Sequence, residues 1–504
     1  MSARGDWRDG LPAGADRSDL PSEVGAVQFD SRAVQPGDLF ICVVGARADG
    51  HDFASAAVDA GAVALVAEQG RGEALQALSV PVVEVADSRR ALSSIAAAHE
   101  GFPARRLTVV GITGTDGKST TCYLAAAALE GCRVPTGMIT TIGSRIDGRD
   151  VPNPTRLTTQ EAPFIQRLFA EMVEAGCTHV VVEATSHGLE MLRLEDCEFD
   201  VAVFTNLSPD HLDFHGTFEA YRAAKLRLFE MLDEPTTKQV QRVAVVNSGS
   251  SAGRHFADAS RAPLLTYAVD GRSDVNAMDV QLWSDGATFA LEIGDETIDA
   301  SVRLPGDFNV ANATAALATV QALGLDVMLA AGGVATCEGV PGRMQRVVGA
   351  PFDVVVDYAH TPEGMKHALA SLGEVVEERV IVVFGCAGER SPDRRSGLGA
   401  VVAELAGFAI LTEEDPRSED PDAIIDEIAH AMTIAGANEG DHFERVPDRR
   451  EAIDCALALA QPGDLVLLAG KGHESSIERA DGAIEWDEHA VAMELIAARF
   501  GPVA

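Results

Sequence analysis

"LTVVGITGTDGKSTTCYLAAAALEG", Leu107 to Gly131, changes its period halfway along. The apolar run to Thr113 reads as a strand, a glycine-bearing turn follows, and an Ala/Leu-rich helix opens at "STT". A strand, a turn and a helix in that order are the repeating unit of an α/β domain with a parallel sheet. Backbone N–H groups of such a turn, at a helix N-terminus, cradle phosphate; Lys118 adds charge, and the Ser119 hydroxyl suits Mg²⁺. The loop departs from the strict GxxxxGK[ST] form because position 112 is Ile. A structural turn rarely carries Lys-Ser-Thr-Thr at that place. The stretch Gly114, Thr115, Asp116, Gly117, Lys118, Ser119 and Thr120 is therefore read as a nucleotide-phosphate site.

The same alternation of Val/Ile-rich runs and Ala/Leu helical patterns extends over nearly the whole chain, which predicts α/β domains with mainly parallel sheets. Three domains are expected. Residues 1–103 hold "DLFICVVG", "AVALVAE" and "VPVVEVA" as strands behind a disordered tail of about 24 residues, with "GFPARR" as linker. Residues 104–339 hold "LTVVGIT", "THVVVEA", "DVAVFTNL" and "RVAVVN", then an antiparallel excursion at "ATFALEIGDETIDASVRL". Residues 340–504 hold "FDVVVDY", "RVIVVFG", "GFAILTEE" and "DLVLLAG".

A net charge of −37 argues against nucleic acid or an anionic membrane as partner, since both need a basic footprint. Eight cysteines without CxxC pairs or zinc spacing read as reduced thiols. No apolar run reaches the roughly 18–20 residues of a membrane span, and the N-terminus lacks the apolar core of a leader. A cytoplasmic protein is expected.

Two further strands end in chemistry. "THVVVEATSH" delivers Glu183 to a carboxyl end, where open α/β sheets place their ligands, and "DVAVFTNLSPDHLDFHGT" delivers Asn206, Asp210, His211, Asp213 and His215 past the next one. Their density beside a phosphate loop predicts a Mg²⁺ site of the kind phosphoryl transfer needs. "FEAYRAAKLRLFEML" then raises a question: the chain has five lysines against 35 arginines, yet keeps Lys225 inside this helix. Its neighbours one turn away are Tyr221, Arg222, Leu228 and Phe229, so no carboxylate stands at pairing distance.

"GTDGKST", "EATSHGL", "NLSPDHLDFHGTFEAYRAAKLRLF", "PGDFNVANATAALA", "GVPGRMQRV", "DYAHTPEG" and "LAGKGHE" occur in the order seen in Mur ligases, and the chain after residue 25 resembles that family. The resemblance implies a central P-loop ATPase-like domain, a C-terminal Rossmann-like domain and an N-terminal uridine-nucleotide domain. It implies ATP-dependent, ADP-forming amide ligation in peptidoglycan precursor synthesis, with two Mg²⁺ ions and with CO₂ held as a lysine carbamate. Lys225 would become a carboxylate-like ligand beside Ser119, Glu183 and His211, with Lys118, Lys225 and His211 catalytic. Arginine could not substitute there, because guanidinium stays protonated. The resemblance further sets Asn309 at the adenine and Arg343 and Asp357 at phosphate and ribose.

Within the family the N-terminal "DSRAVQPGDLF" stretch resembles the branch that adds the third stem residue (the MurE type). Ser31, Arg32 and the "GARADGH" loop would face the UDP of a UDP-MurNAc-dipeptide, as would Thr158, Thr159, Thr185, Ser186 and Arg193. Gln160 replaces the usual proline and Thr185 a more usual serine, and neither removes a hydroxyl. The incoming diamino acid would meet Arg395, Asp415, Arg417, Gly470 and Glu474. Arg417 of "TEEDPRSEDP" suits a bidentate grip on the distal carboxylate of meso-diaminopimelate. Asp415, where asparagine is usual, favours a bare ammonium as in lysine or ornithine; the two residues pull in opposite directions or pair with each other. Glu389 for Asp and Ser396 for Pro are further departures. Diaminopimelate is the preferred reading, with lysine or ornithine as the alternative. A folylpolyglutamate synthetase-like ligase is disfavoured by the uridine-type region, a lipid-linked amidating relative by the absent four-cysteine cluster, and a non-catalytic scaffold by the complete motif set. The expected state is a monomer.

Overall fold

Each strand expected from the apolar runs is present in the computed structural model, which describes residues 5–45, 48–153, 155, 157–283 and 285–501. The chain divides into two compact units: residues 1–276, 292–296 and 312–334, and residues 277–291, 297–311 and 335–504.

The first unit contains two sheets. Val27–Gln28, Leu39–Ile41, Ala64–Glu68 and Val82–Val85 are parallel neighbours in that order. The larger sheet runs Leu264–Val269, Val243–Asn247, Val201–Phe204, Thr108–Thr113, His179–Glu183 and Thr136–Ile139, all parallel. It is extended by the antiparallel strands Gly143–Ile146 and Arg149–Pro152. The runs are apolar throughout because helices cover both faces; all four residues of Val201–Phe204 are fully buried. The strand Thr108–Thr113 is central, so the turn after it lies among several strand ends. Gly111 is required there: a Cβ would stand 2.7 Å from Leu228 Cδ1 of the helix Phe218–Glu230.

Residues 5–24 correct the expectation of a disordered tail. Trp7 is 1% exposed, opens the short helix Trp7–Gly10, and donates from Nε1 to Pro21 O at 2.9 Å. With Leu11 and Leu20 it joins the core that contains Leu39, Ile41 and Ile95. The polar composition of the stretch conceals a single aromatic anchor, and one such side chain buries enough apolar area to hold a short segment.

The second unit carries a six-stranded sheet in the order Gln345–Arg346, Asp353–Asp357, Leu465–Ala469, Val380–Phe384, Phe408–Leu411 and Phe443–Arg445. Only the first pairing is antiparallel. Gly286–Ile293 and Glu296–Val302 are sheet neighbours joined by a two-residue turn, as the alternating pattern predicted. Among the described residues no helix is long and apolar enough to cross a membrane.

The substitution Trp7→Ala should lower the unfolding free energy by about 3–5 kcal/mol. Urea unfolding measures it, and an unchanged midpoint would contradict the anchoring role.

Candidate active site

The turn after Thr108–Thr113 is held from below by the end of the neighbouring strand. Asn206 Oδ1 accepts from Asp116 N at 2.9 Å, Asn206 Nδ2 donates back to Asp116 O, and Thr205 Oγ1 donates to the same carbonyl at 2.7 Å. Thr115 N donates to Asn206 O. A Cβ on Gly114 would stand 1.9 Å from Thr205 Oγ1, so only glycine fits. Gly117 adopts φ +77° and caps the helix Lys118–Gly131 without any side-chain bond, which leaves the first amide N–H groups to a ligand. Lys118 Nζ donates to Thr115 O at 2.7 Å, folded against its own loop. Ser119 and Thr120 are buried in the first turn.

Glu183 is 3% exposed, and its Oε2 accepts from Ser119 Oγ at 2.8 Å and from Thr141 N and Oγ1, each at 3.0 Å. Lys225 is 1% exposed; its Nζ donates to Gly114 O at 2.5 Å and lies 4.5 Å from the centre of the Tyr221 ring. Burial, assisted by the charge on Lys118, pushes its amine well below the usual lysine value. That shift favours the neutral, nucleophilic form of the amine. His211 lies past the end of Val201–Phe204 at φ +52°, half exposed at its side chain, with its ring edge-on to His187. Burial lowers the pKa of its imidazole. Among the described residues no group of three or more His, Cys, Asp or Glu is placed to hold a metal ion. The oxygen donors of Ser119 and Glu183 fit a hard cation such as Mg²⁺, whereas the free amine of Lys225 does not. A CO₂ adduct on that amine would supply the missing oxygens.

A second group of expected residues also comes together. Thr159 Oγ1 donates to Glu183 O at 3.0 Å and lies 2.8 Å from Thr185 Oγ1, while Arg193 donates to Thr159 O and pairs with Glu161 at 2.7 Å. Thr185 caps the helix Ser186–Glu190, Ser186 Oγ meets His215 Nε2 at 3.0 Å, and Thr158 is half-buried alongside. Glu161 also lines a cavity of about 500 Å³ with Ser31, Arg32, Phe53 and Arg89. Arg32 itself is 89% exposed and paired with Asp30. Ala46 and Arg47 of the "GARADGH" loop lie outside the described residues.

In the second unit Asp357 accepts from Met344 N and Ala359 N, both at 2.8 Å, and the Arg343 guanidinium lies 4.5 Å over the Tyr358 ring. Asn309 is buried and donates to Pro305 O. Tyr358 OH donates to Glu474 Oε1 at 3.2 Å, which joins Arg343 and Asp357 to the amino-acid candidates. Gly470 N donates to Asp357 O, with Gly470 at φ +102°. Asp415 and Arg417 do not pair with each other, as one reading had it: Asp415 meets Lys471 at 2.8 Å, and Arg417 meets Glu478 at 3.3 Å. Arg395 is occupied as well, its guanidinium meeting Glu419 at 2.8 Å and Glu427 at 3.1 Å.

Several residues here were invisible to sequence reasoning. Thr141 orients Glu183 from a loop with no motif signal, and Arg89 reaches the cavity from a helix start, donating to Val44 O at 3.3 Å. Glu414 is 6% exposed with Oε2 unpartnered among the described residues.

A phosphate loop with an adjacent carboxylate and a buried amine, on a mainly parallel sheet, defines a nucleotide-binding α/β protein built for phosphoryl chemistry. Three family models match: "Mur ligase family, catalytic domain" over residues 23–100, "Mur ligase middle domain" over 112–320, and "Mur ligase, glutamate ligase domain" over 342–472. A UDP-N-acetylmuramyl-tripeptide synthetase of Roseiflexus sp. is 43% identical over 94% of this chain and 95% of its own length. A UDP-N-acetylmuramoyl-L-alanyl-D-glutamate--2,6-diaminopimelate ligase of Geobacillus thermodenitrificans is 40% identical over 95% and 96%. A solved structure bearing that second name superposes with a TM-score of 0.69 at 30% identity, covering 99% of both chains. The chain belongs to the Mur ligase family.

Burial raises the Glu414 carboxyl from 4.5 to about 7, against the opposing pull of Lys471 and Arg449. The folded state therefore holds this proton more tightly than the unfolded state. The resulting stabilisation is complete below pH 4.5 and is lost as pH rises through about 7. In Glu414→Gln that dependence disappears, so the wild-type-minus-variant stability should fall by about 3 kcal/mol between roughly pH 4.5 and pH 8. Urea unfolding across that range reads it; a constant difference would contradict the burial argument.

Proposed function

We propose that this chain joins meso-2,6-diaminopimelate to the D-Glu carboxylate of UDP-N-acetylmuramoyl-L-alanyl-D-glutamate at the expense of ATP, releasing ADP and phosphate during cytoplasmic synthesis of peptidoglycan precursors. The observation that carries this reading is the convergence of the phosphate loop, Glu183 and the buried Lys225 amine, in a chain with near-full-length similarity to ligases bearing that name.

The D-Glu carboxylate oxygen attacks the γ-phosphorus of ATP, the bond to the β-phosphate oxygen breaks, and an acyl phosphate forms. The amine of the diamino acid then adds to the acyl carbon, and the tetrahedral intermediate expels phosphate and loses a proton to give the amide. Catalysis rests on positioning and on charge stabilisation. The loop from Gly114 to Thr120 binds phosphate through its N–H groups, and Lys118 leaves Thr115 O for the phosphate oxygens. Thr158, Thr159, Thr185, Ser186 and Arg193 hold the dipeptide precursor, whose uridine end lies in the cavity at Ser31 and Arg32. In this reading Asn309 takes the adenine, and Arg343 and Asp357 take phosphate and ribose. Two Mg²⁺ ions, held by Ser119, Glu183, His211 and a carbamate on Lys225, would neutralise charge on the transferred group. The carbamate forms when the neutral Nζ attacks CO₂ and loses a proton, and the depressed basicity of that amine supports it. In this reading residues 1–103, 104–339 and 340–504 act as the uridine-nucleotide, ATP and amino-acid regions.

Diaminopimelate is favoured over lysine or ornithine by Arg417 and by the names of the similar ligases. Added diaminopimelate should drive ADP release in the presence of the dipeptide precursor, with lysine and ornithine far weaker. Lys225→Ala should nearly abolish this release, and short carboxylates should partly restore it. Full activity of the unrescued variant would refute the role given to Lys225.

A further inference from the structure

Asp415 is an acidic side chain among the amino-acid candidates, and an uncompensated carboxylate there would favour a plain ammonium side chain on the substrate. The structure supplies a counterweight. Lys471 is fully buried, and its Nζ lies 2.8 Å from Asp415 Oδ1 and 2.6 Å from Glu474 Oε2. Asp415 Oδ1 also accepts from Glu478 N at 2.9 Å, and Glu474 Oε1 accepts from Tyr358 OH at 3.2 Å. Asp415 is thus held through one oxygen, Oδ1, whereas Glu474 is held through both. The turn that carries Lys471 is forced by its flanking glycines, Gly470 at φ +102° and Gly472 at φ +52°. A Cβ on Gly470 would come 2.9 Å from Glu414 Oε2, so the turn lies directly against this acidic group. A buried ammonium between two carboxylates is the arrangement in which removal of one partner leaves a strongly felt uncompensated charge.

We propose that Lys471 is a positioning and specificity-determining residue: by facing both Asp415 and Glu474 it leaves the group one negative charge instead of two and fixes both carboxylates, so that a substrate with a distal carboxylate is less strongly repelled. The proposal rests on the reading that this unit takes a diamino acid. Asp415 then acts as an oriented acceptor whose charge Lys471 partly offsets. Arg417, paired with Glu478, remains the group that a distal carboxylate recruits.

Steady-state kinetics with diaminopimelate and with lysine test it through the ratio of their KM values. In Lys471→Met the uncompensated Asp415 should raise the KM for diaminopimelate about tenfold or more relative to that for lysine. In Asp415→Asn, Lys471 faces Glu474 alone and the ratio should shift the other way, and the double variant should return to within about threefold of wild type. Asp415→Asn is nearly isosteric, so it carries the test alone if Lys471→Met fails to fold. Equal KM changes for both amino acids, or additive effects in the double variant, would overturn the proposal. No ADP release by the wild type with any diamino acid would instead refute the proposed reaction.

Discussion

Among the described residues the buried Lys225 amine has no carboxylate at hydrogen-bond distance, and it donates to the carbonyl of Gly114, the residue that opens the phosphate turn. Lys225 lies on the buried face of its helix with Tyr221, Ala224, Leu228 and Phe229. A cation in such a place is costly, and a neutral amine is the form the surroundings favour. Arginine has no accessible neutral form, which accounts for a lysine in a chain that otherwise uses arginine.

The other buried lysines show the alternative solution. Lys238 donates to three carbonyls and to Asp200 at 2.5 Å, and Lys471 sits between Asp415 and Glu474. Carboxylates face both of them at hydrogen-bond distance. The contrast within one protein separates lysines in direct contact with a carboxylate from Lys225, on which Asp210, Asp116 and Glu183 act only at longer range, outweighed by burial. The second unit applies the same economy to acids: Arg449, fully buried, pairs with Glu488 and donates to Glu413 O and Ala469 O, tying the ends of two strands under the acidic turn.

Much of this was legible in the chain itself. Strands buried on both faces appear as unbroken Val/Ile runs, and a glycine turn followed by Lys-Ser has few other uses, so the sheet order's raw material and the phosphate loop could be read directly. The partners of charged residues could not. Lys471 lies 56 positions from Asp415, and Arg395 turns to Glu419 and Glu427 rather than outward. Such pairings depend on how distant loops meet, and local pattern carries no information on that. The N-terminal segment failed for a related reason: one tryptophan decides its fate, and composition averages it away. Thr141 was missed because a hydroxyl and an amide aimed at Glu183 leave no periodic trace.

The central claim, that the Lys225 amine is neutral and takes up CO₂, is tested most directly by equilibrating the protein with carbon-13-labelled bicarbonate and recording its carbon NMR spectrum. A carbamate resonance should be present in the wild type, absent in Lys225→Arg, and strengthened by Mg²⁺ with nucleotide. Identical spectra for the two proteins, with no carbamate signal in either, would contradict the account.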